Sequence, residues 1–140
     1  MLTRDEAQRF IAERNWGVLA TIKRSDGRPQ LSNIGYALRD GRIRVSVTAD
    51  RAKVANVRHD PRVSLHVTSD DFWAYVVAEG EAELSPVTTE PGDATGRALL
   101  ATFEAISGGP HPDPDEFFDV MVTERRVELS FPIQRVYPTR

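Results

Sequence analysis

The sequence predicts a mostly β protein of the α+β class, built as a small antiparallel barrel with helices at its flanks. Its 140 residues suit a single domain over residues 1–140, long enough to enclose a hydrophobic core without disulfides. Apolar and polar residues alternate along several short segments, as in strands with one buried face. Asp26-Gly27 and Asp40-Gly41 are typical hairpin turns between such segments. Consecutive antiparallel strands in so short a chain favour a small barrel.

Six strands are predicted from this alternation and from the turn signals between the segments. They span residues 16–22, 29–38, 43–47, 62–68, 72–85 and 126–137. Gly80 lies inside the fifth strand, where a glycine indicates a bulge or the close approach of another backbone. Pro132 lies inside the sixth strand, which predicts an edge position or a bulge.

Helices are predicted where the apolar residues recur every three or four positions. Thr3 and Glu6 form a capping-box pattern before a short helix over residues 3–14. Asp50 is the expected N-cap of a second helix over residues 51–59. Two more helices are predicted, one over residues 93–107 and one from Asp113 or Asp115 to about Met121.

Several classes of site are excluded or disfavoured by composition. The chain has no cysteine, so it forms no disulfide, zinc-thiolate site or iron–sulfur cluster. Its three histidines lack metalloprotease spacing, and we expect no metal site. No phosphate-binding P-loop, dinucleotide-binding glycine motif or serine-nucleophile motif is present. The charged N-terminus and short apolar runs predict a cytoplasmic protein, and we expect no membrane or nucleic-acid partner.

The formal net charge of −3 conceals an uneven distribution. Residues 1–62 hold 13 Lys and Arg against 7 Asp and Glu, whereas residues 79–119 hold one Arg against ten acidic residues. The basic first part suggests an anionic ligand, although solvated strand faces would give the same count. The alternating acids Glu79, Glu81 and Glu83 are interpreted as a solvated outer face.

The predicted start of the second helix carries the clearest candidate site. Free N–H groups and the positive end of the helix dipole lie there, and Arg51 and Lys53 add two formal charges. Such an arrangement suits a phosphate. Lys53 is one of only two lysines beside 16 arginines, which weakly favours a specific use of its compact charge. The alternative is that both residues are ordinary surface charges.

Two groups of side chains could surround a flat ligand beside this anion site. Gln30 and Ser32 share one face of the second predicted strand, and Asn33 faces the other way. Their amide and hydroxyl groups suit the edge of a polar ring system, although solvent-facing positions would look the same. Trp73 and Tyr75 alternate on the fifth strand and could stack on a ligand or on a dimer partner. Core or interface packing is the simpler interpretation of these two rings.

Four segments together resemble the pyridoxamine 5′-phosphate oxidase-like split barrels. They are GVLATIKRSDGRPQLSNIGY (17–36), RAKVANVRHDPRVSLHV (51–67), WAYVVAEGEAEL (73–84) and MVTERRVELSFPIQRVY (121–137). The chain is most similar to the flavin/deazaflavin oxidoreductase branch that uses coenzyme F420, known mainly from actinobacteria. The resemblance covers nearly the whole chain and is weakest over residues 86–116.

This resemblance implies a six-stranded split β-barrel of the FMN-binding type that forms a homodimer, with two cofactor sites at the subunit interface. Trp73 and Tyr75 would reach each site from the second subunit. Four residues would hold the phosphate and tail side of the cofactor, namely Arg51, Ala52, Lys53 and Asn56. Three would lie along its ring system, namely Gln30, Ser32 and Asn33.

The implied reaction is transfer of a hydride from reduced F420 to an unsaturated small molecule. The coenzyme carries the chemistry, so no conventional catalytic residue is identified; the proton would come from solvent or from a nearby hydroxyl such as that of Tyr75. The anionic tail of F420, with its phosphate and glutamate carboxylates, suits the basic first part of the chain. Two alternatives stay open: an FMN-dependent flavoprotein of the same fold, and a non-catalytic F420 carrier.

Overall fold

A computed structural model describes residues 2–139, which form four helices and nine strands. The helices are α1 (Arg4–Ala12), α2 (Ala52–His59), α3 (Ala94–Ser107) and α4 (Pro114–Thr123). The strands of the first half are β1 (Trp16–Ile22), β2 (Pro29–Gly35), β3 (Ala37–Arg39), β4 (Arg42–Thr48) and β5 (Arg62–Thr68). Those of the second half are β6 (Tyr75–Glu81), β7 (Glu83–Leu84), β8 (Arg126–Pro132) and β9 (Arg135–Tyr137).

The strands form two antiparallel sheets, as the mostly β prediction requires. The larger sheet has the order β2-β1-β5-β6-β9, and the smaller has the order β3-β4-β8-β7. Side chains from both sheets meet in one core, which includes Leu19, Leu65, Val45 and Phe131, all 1% exposed or less. The predicted barrel with flanking helices is therefore confirmed.

The six predicted strands become nine because three of them break and continue in the other sheet. The segment 29–38 divides at Tyr36, which is fully buried and donates its hydroxyl to Ile11 O at 2.6 Å. The segment 72–85 divides at Ala82, whose N–H bonds to Pro61 O at 2.7 Å. The segment 126–137 divides after Pro132. Each break lets one length of chain serve both sheets.

The fifth strand also begins later than predicted. Residues 72–74 belong to a turn, which Asp71 closes by accepting hydrogen bonds from Ser69 Oγ at 2.6 Å and from Trp73 N at 3.1 Å. Trp73 therefore lies before β6, and the prediction that it shares a strand with Tyr75 is wrong. The side chain of Asp71 competes with the strand for this backbone.

Gly80 and Pro132 are the two positions at which the sequence predicts an irregular strand. A Cβ at Gly80 would collide with Pro132 O and lie 2.8 Å from Phe131 Cδ2, so the predicted close approach is confirmed. Pro132 is the last residue of β8 and pairs with Arg42 of β4, while β7 on the other side reaches only Leu129 and Ser130. Pro132 therefore has a partner strand on one side only, which agrees with the predicted edge position.

The helix starts follow the capping rules at three of four places. Thr3 and Glu6 form the complete capping box before α1, and Asp93 and Asp113 cap α3 and α4 through Gly96 N and Glu116 N. Asp50 is not the cap of α2: Arg51 holds that position and offers no side-chain hydrogen bond.

The acidic residue Glu128 is buried at the centre of the smaller sheet. It is 5% exposed and accepts hydrogen bonds from Arg44 Nη1 at 2.8 Å and from Thr102 Oγ1 at 2.9 Å. Because Thr102 belongs to α3, this carboxylate fastens that helix to the sheet.

None of the helices within residues 2–139 combines the length and the hydrophobicity that crossing a membrane would require.

Candidate functional site

Helix α2 packs against β1 and meets one face of β2 through polar contacts. Asn56, which is 5% exposed, donates from Nδ2 to Thr21 Oγ1 at 3.1 Å and to Gln30 Oε1 at 3.4 Å. Lys53 Nζ donates to Ser32 Oγ at 3.4 Å. The structure thus brings together two predicted site residues of α2 and two of β2, and the bonded partners lie 21 and 26 positions apart in the chain.

Asn33 lies on the opposite face of β2, as the alternation predicts. It pairs with Val18 of β1 and is exposed on the outer face of the larger sheet, between Leu31 and Gly35. Its amide is therefore available to a ligand on that face, while Gln30 and Ser32 are engaged with α2.

Three cations converge at the start of α2, and we call Arg51, Lys53 and Arg126 the cation cluster. They border a groove of about 270 Å³ between β2 and β4, which we call the split groove. The groove also contains Asn33, Ser46 and Thr48, and its lining includes no acidic residue. Its remaining lining is apolar or glycine: Ile34, Gly35, Val45 and Val47.

Sequence reasoning missed Arg126, the third member of the cation cluster. It lies 73 positions beyond Lys53 but is the register partner of Thr48, the last residue of β4. Only the pairing of β4 with β8 brings it to the start of α2. The clue available in the sequence was its position as the first polar residue of the last long strand, which does not identify a partner.

Hydrogen bonds to neighbouring hydroxyls orient the two guanidiniums. Arg51 Nε donates to Thr48 Oγ1 at 3.1 Å, and Arg126 Nη1 donates to Ser46 Oγ at 3.4 Å. Burial, with Arg51 and Arg126 nearby, lowers the pKa of Lys53 below its usual value. An anion bound beside a lysine of this kind stabilises its charged form. The cation cluster therefore favours an anionic ligand.

The start of α2 adds backbone donors to these three charges. No side chain caps the helix, and Ala52 at its first position is exposed and small. The first N–H groups of a helix have no partner within the helix and carry partial positive charge. Together with the charges of the cation cluster, they suit the three outer oxygens of a phosphate.

Trp73 and Tyr75 lie elsewhere, on the outer face of the larger sheet and the turn before it. Trp73 is 84% exposed, and Tyr75 is 43% exposed and stacks on His66 with ring centroids 5.3 Å apart. Neither lines the split groove within the part of the chain that the structure describes. Their role in a site formed with a second subunit stays a prediction.

A second cavity of about 480 Å³ opens on that outer face. It shares Asn33, Ile34 and Gly35 with the split groove, so β2 forms a common wall between the two. Two exposed aromatic residues, Trp16 and Phe72, line it. The other lining residues are Gly17, Val18, His66 and Thr68. No local pattern in the sequence predicts a ligand role for these side chains, because their convergence depends on the pairing of β1 with β5.

The residues that the structure describes contain no group of three His, Cys, Asp or Glu side chains suitable for a metal ion. The chemistry of the donors at the cation cluster is that of an anion site, made of two guanidiniums, an ammonium and backbone N–H groups. A phosphate-bearing flat cofactor fits this set of donors together with the narrow groove beside it.

Comparison with known proteins gives one family match over most of the chain. A family model described as pyridoxamine 5′-phosphate oxidase matches residues 3–129. Among solved structures, the conserved hypothetical protein Rv2991 from Mycobacterium tuberculosis is similar at 29% identity and a TM-score of 0.76. That alignment covers 97% of this chain and 83% of the other.

Two further solved structures share the fold. A protein described as an F420 reductase is 26% identical with a TM-score of 0.67, and the alignment covers 90% of this chain and 92% of that one. A FAD-binding protein from Mesorhizobium loti is 24% identical with a TM-score of 0.68, over 96% of this chain and 90% of the other. The second likeness shows the fold alone.

Proposed function

Because this chain belongs to the pyridoxamine 5′-phosphate oxidase family of split barrels, we propose that it is an F420-dependent oxidoreductase. The family includes flavin- and deazaflavin-dependent oxidoreductases, and the similarity to a protein described as an F420 reductase supports the branch. The observation that carries the proposal is the cation cluster at the uncapped start of α2, beside a groove in the split between the sheets.

The residues of the cation cluster bind the cofactor's phosphate in this proposal. Lys53 supplies a mobile point charge, and the guanidiniums of Arg51 and Arg126 supply planar donors on either side of it. Ala52 contributes its backbone N–H and, being small, leaves room for the phosphate. Asn56 does not touch the phosphate; it fixes α2 to β2 through Thr21 and Gln30.

The ring system lies along β2 in this proposal. Gln30 and Ser32 hold the strand in place from the side of α2, and Asn33 offers an amide to the polar edge of the ring. When bound, the deazaflavin supplies the capacity to donate a hydride to an unsaturated small molecule. The protein orients both reactants.

We further propose that two copies of the chain form the working unit. The outer face of the larger sheet exposes large apolar side chains, including Trp16 at 80%, Leu31 at 64% and Phe72 at 69%. An apolar surface of this kind typically packs against a partner. A second subunit would then bring Trp73 and Tyr75 over the ring, and the Tyr75 hydroxyl is the proposed source of the proton that completes reduction.

The preference for F420 over FMN rests on the surplus of positive charge. FMN carries one phosphate, whereas F420 carries a phosphate and several carboxylates. Three cations line the split groove, whose lining has no acidic residue. Two of them, Arg51 and Arg126, also line an adjoining cavity, together with Asp50 and Glu124. A longer anionic chain makes use of both spaces.

The test is a parallel titration of the purified protein with F420 and FMN, followed by fluorescence. We expect saturable binding of F420 at a lower Kd than that of FMN. The ratio of the FMN Kd to the F420 Kd should increase at low salt. A second assay follows oxidation of reduced F420 in the presence of quinones, enones and nitroaromatic compounds. Preference for FMN contradicts the cofactor assignment. F420 binding without turnover of any acceptor favours a carrier.

A further inference from the structure

Arg126 lies between two cavities, one whose charged lining residues are all cations and one lined by two arginines and two carboxylates. On one side lies the split groove, whose lining has no acidic residue. On the other lies a cavity of about 600 Å³, here called the outer cavity. Its lining residues are Thr48, Asp50, Arg51, Ala52, Glu124 and Arg126. The two spaces share Thr48, Arg51 and Arg126, so an elongated ligand could pass from one to the other beside the same guanidiniums.

The carboxylate of Glu124 occupies the outer side of Arg126. Glu124 Oε1 lies 3.0 Å from Arg126 Nε, while Nη1 of the same guanidinium points to Ser46 on the side of the split groove. The backbone enforces this approach. Glu124 ends α4, and Arg125 adopts a left-handed conformation with φ of 54° that reverses the chain into β8.

Neither partner of this ion pair is deeply buried. The side chains of Glu124 and Arg126 are 42% and 28% exposed. Ion pairs of this kind contribute little, since water solvates both charges when they separate. Glu124 can therefore leave Arg126 at low cost, while Nη1 of the guanidinium keeps its contacts with Ser46 Oγ at 3.4 Å and Ser46 O at 3.5 Å. The exchange of Glu124 for another anion at Arg126 requires little free energy.

We propose that Glu124 is an exchangeable counter-ion that holds the place of a second anionic group of the ligand at Arg126. The first anionic group, a phosphate, binds in the split groove, so this proposal rests on the anion site of the proposed function. The ligand class is a molecule with a phosphate and a further carboxylate or phosphate. Glu124 then lowers the affinity for any such ligand, because the ligand's second group must displace it.

The experiment compares Glu124→Gln with Asp50→Asn, which removes one charge from the same outer cavity without a partner at Arg126. The probes are inorganic phosphate, with one anionic group, and 3-phosphoglycerate, with a phosphate and a carboxylate. Apparent Kd values come from protection against thermal unfolding. We expect Glu124→Gln to tighten 3-phosphoglycerate roughly 2- to 5-fold and to change phosphate binding much less.

A double-variant cycle assigns the effect to Arg126. In an Arg126→Gln background, Glu124→Gln should have no effect on either probe. Glu124→Ala removes the same carboxylate and should reproduce the gain. Equal gains for both probes, an equal gain in Asp50→Asn, or no gain for 3-phosphoglycerate overturns the proposal, as does the absence of protection in every version. Failure of F420 to bind, with the 3-phosphoglycerate gain intact, contradicts the proposed cofactor and leaves the exchange standing.

Discussion

Replacing Lys53 with Met should move stability and cofactor binding in opposite directions. Lys53 lies between Arg51 and Arg126, and burial and these two charges lower its pKa from the ordinary value of 10.5. Because the unfolded chain holds this proton more tightly, the charged form destabilises the empty protein. Like-charge neighbours cost a few tenths of a kcal/mol each, so Lys53→Met should raise stability by about 0.5 kcal/mol, or Tm by about 2 °C.

The same substitution should weaken anion binding by much more. A charge-assisted hydrogen bond to phosphate contributes about 1.5–3 kcal/mol, which corresponds to a rise in Kd of roughly 10- to 150-fold. The gain in stability should be full near neutral pH and should vanish as pH rises past 10.5, where the lysine is neutral in both the folded and the unfolded chain.

Thermal unfolding and F420 titration of the same preparations measure both effects. Lys23→Met, in the hairpin between β1 and β2, is the matched control because it removes the only other lysine. We expect it to change Kd less than about twofold, because Lys23 does not line the split groove. A fall in Tm for Lys53→Met together with an unchanged Kd would refute the view that the charge of Lys53 destabilises the empty protein and binds the cofactor's phosphate.

Three further predictions concern other parts of the structure. Asn56→Ala should lower the free energy of unfolding by about 1–3 kcal/mol in urea titrations, because it leaves Thr21 with an unpaired buried hydroxyl. Asp93→Ala should cost about 0.5–2 kcal/mol at neutral pH, since it uncaps α3. Hydrogen bonds from backbone N–H groups lower the pKa of Asp93, so its contribution should fade as pH falls below its ordinary value of 3.8; an unchanged gap between wild type and variant at low pH would contradict this. Trp73→Ala should weaken F420 binding without lowering Tm, because the ring is exposed in one chain; equal affinity would remove Trp73 from the site.

Local patterns in the sequence were enough to predict most of the helices and strands and several residues of the candidate site. The hairpins, the capping box and the start of α2 depend on residues a few positions apart, and each is found close to its expected place. The opposed faces of Ser32 and Asn33 follow from the period of a strand, and the contact of Lys53 with Ser32 agrees with the predicted grouping.

The remaining features depend on tertiary structure. Alternation continues through Tyr36, and only the burial of its ring under α1 shows that the chain changes sheet there. Asp50 has the right chemistry for an N-cap but lies one residue too early, because the helix begins after Arg51. Arg126 reaches the site through the register of β8 with β4, which no local pattern specifies.

The central claim is that the cation cluster holds the phosphate of a deazaflavin. The most direct test is a crystal structure of the protein with F420 bound. We predict the phosphate within hydrogen-bonding distance of Lys53 Nζ and of at least one of Arg51 and Arg126, with the ring along β2 beside Asn33. A phosphate bound away from α2, for example in the cavity between Trp16 and Phe72, would contradict the claim.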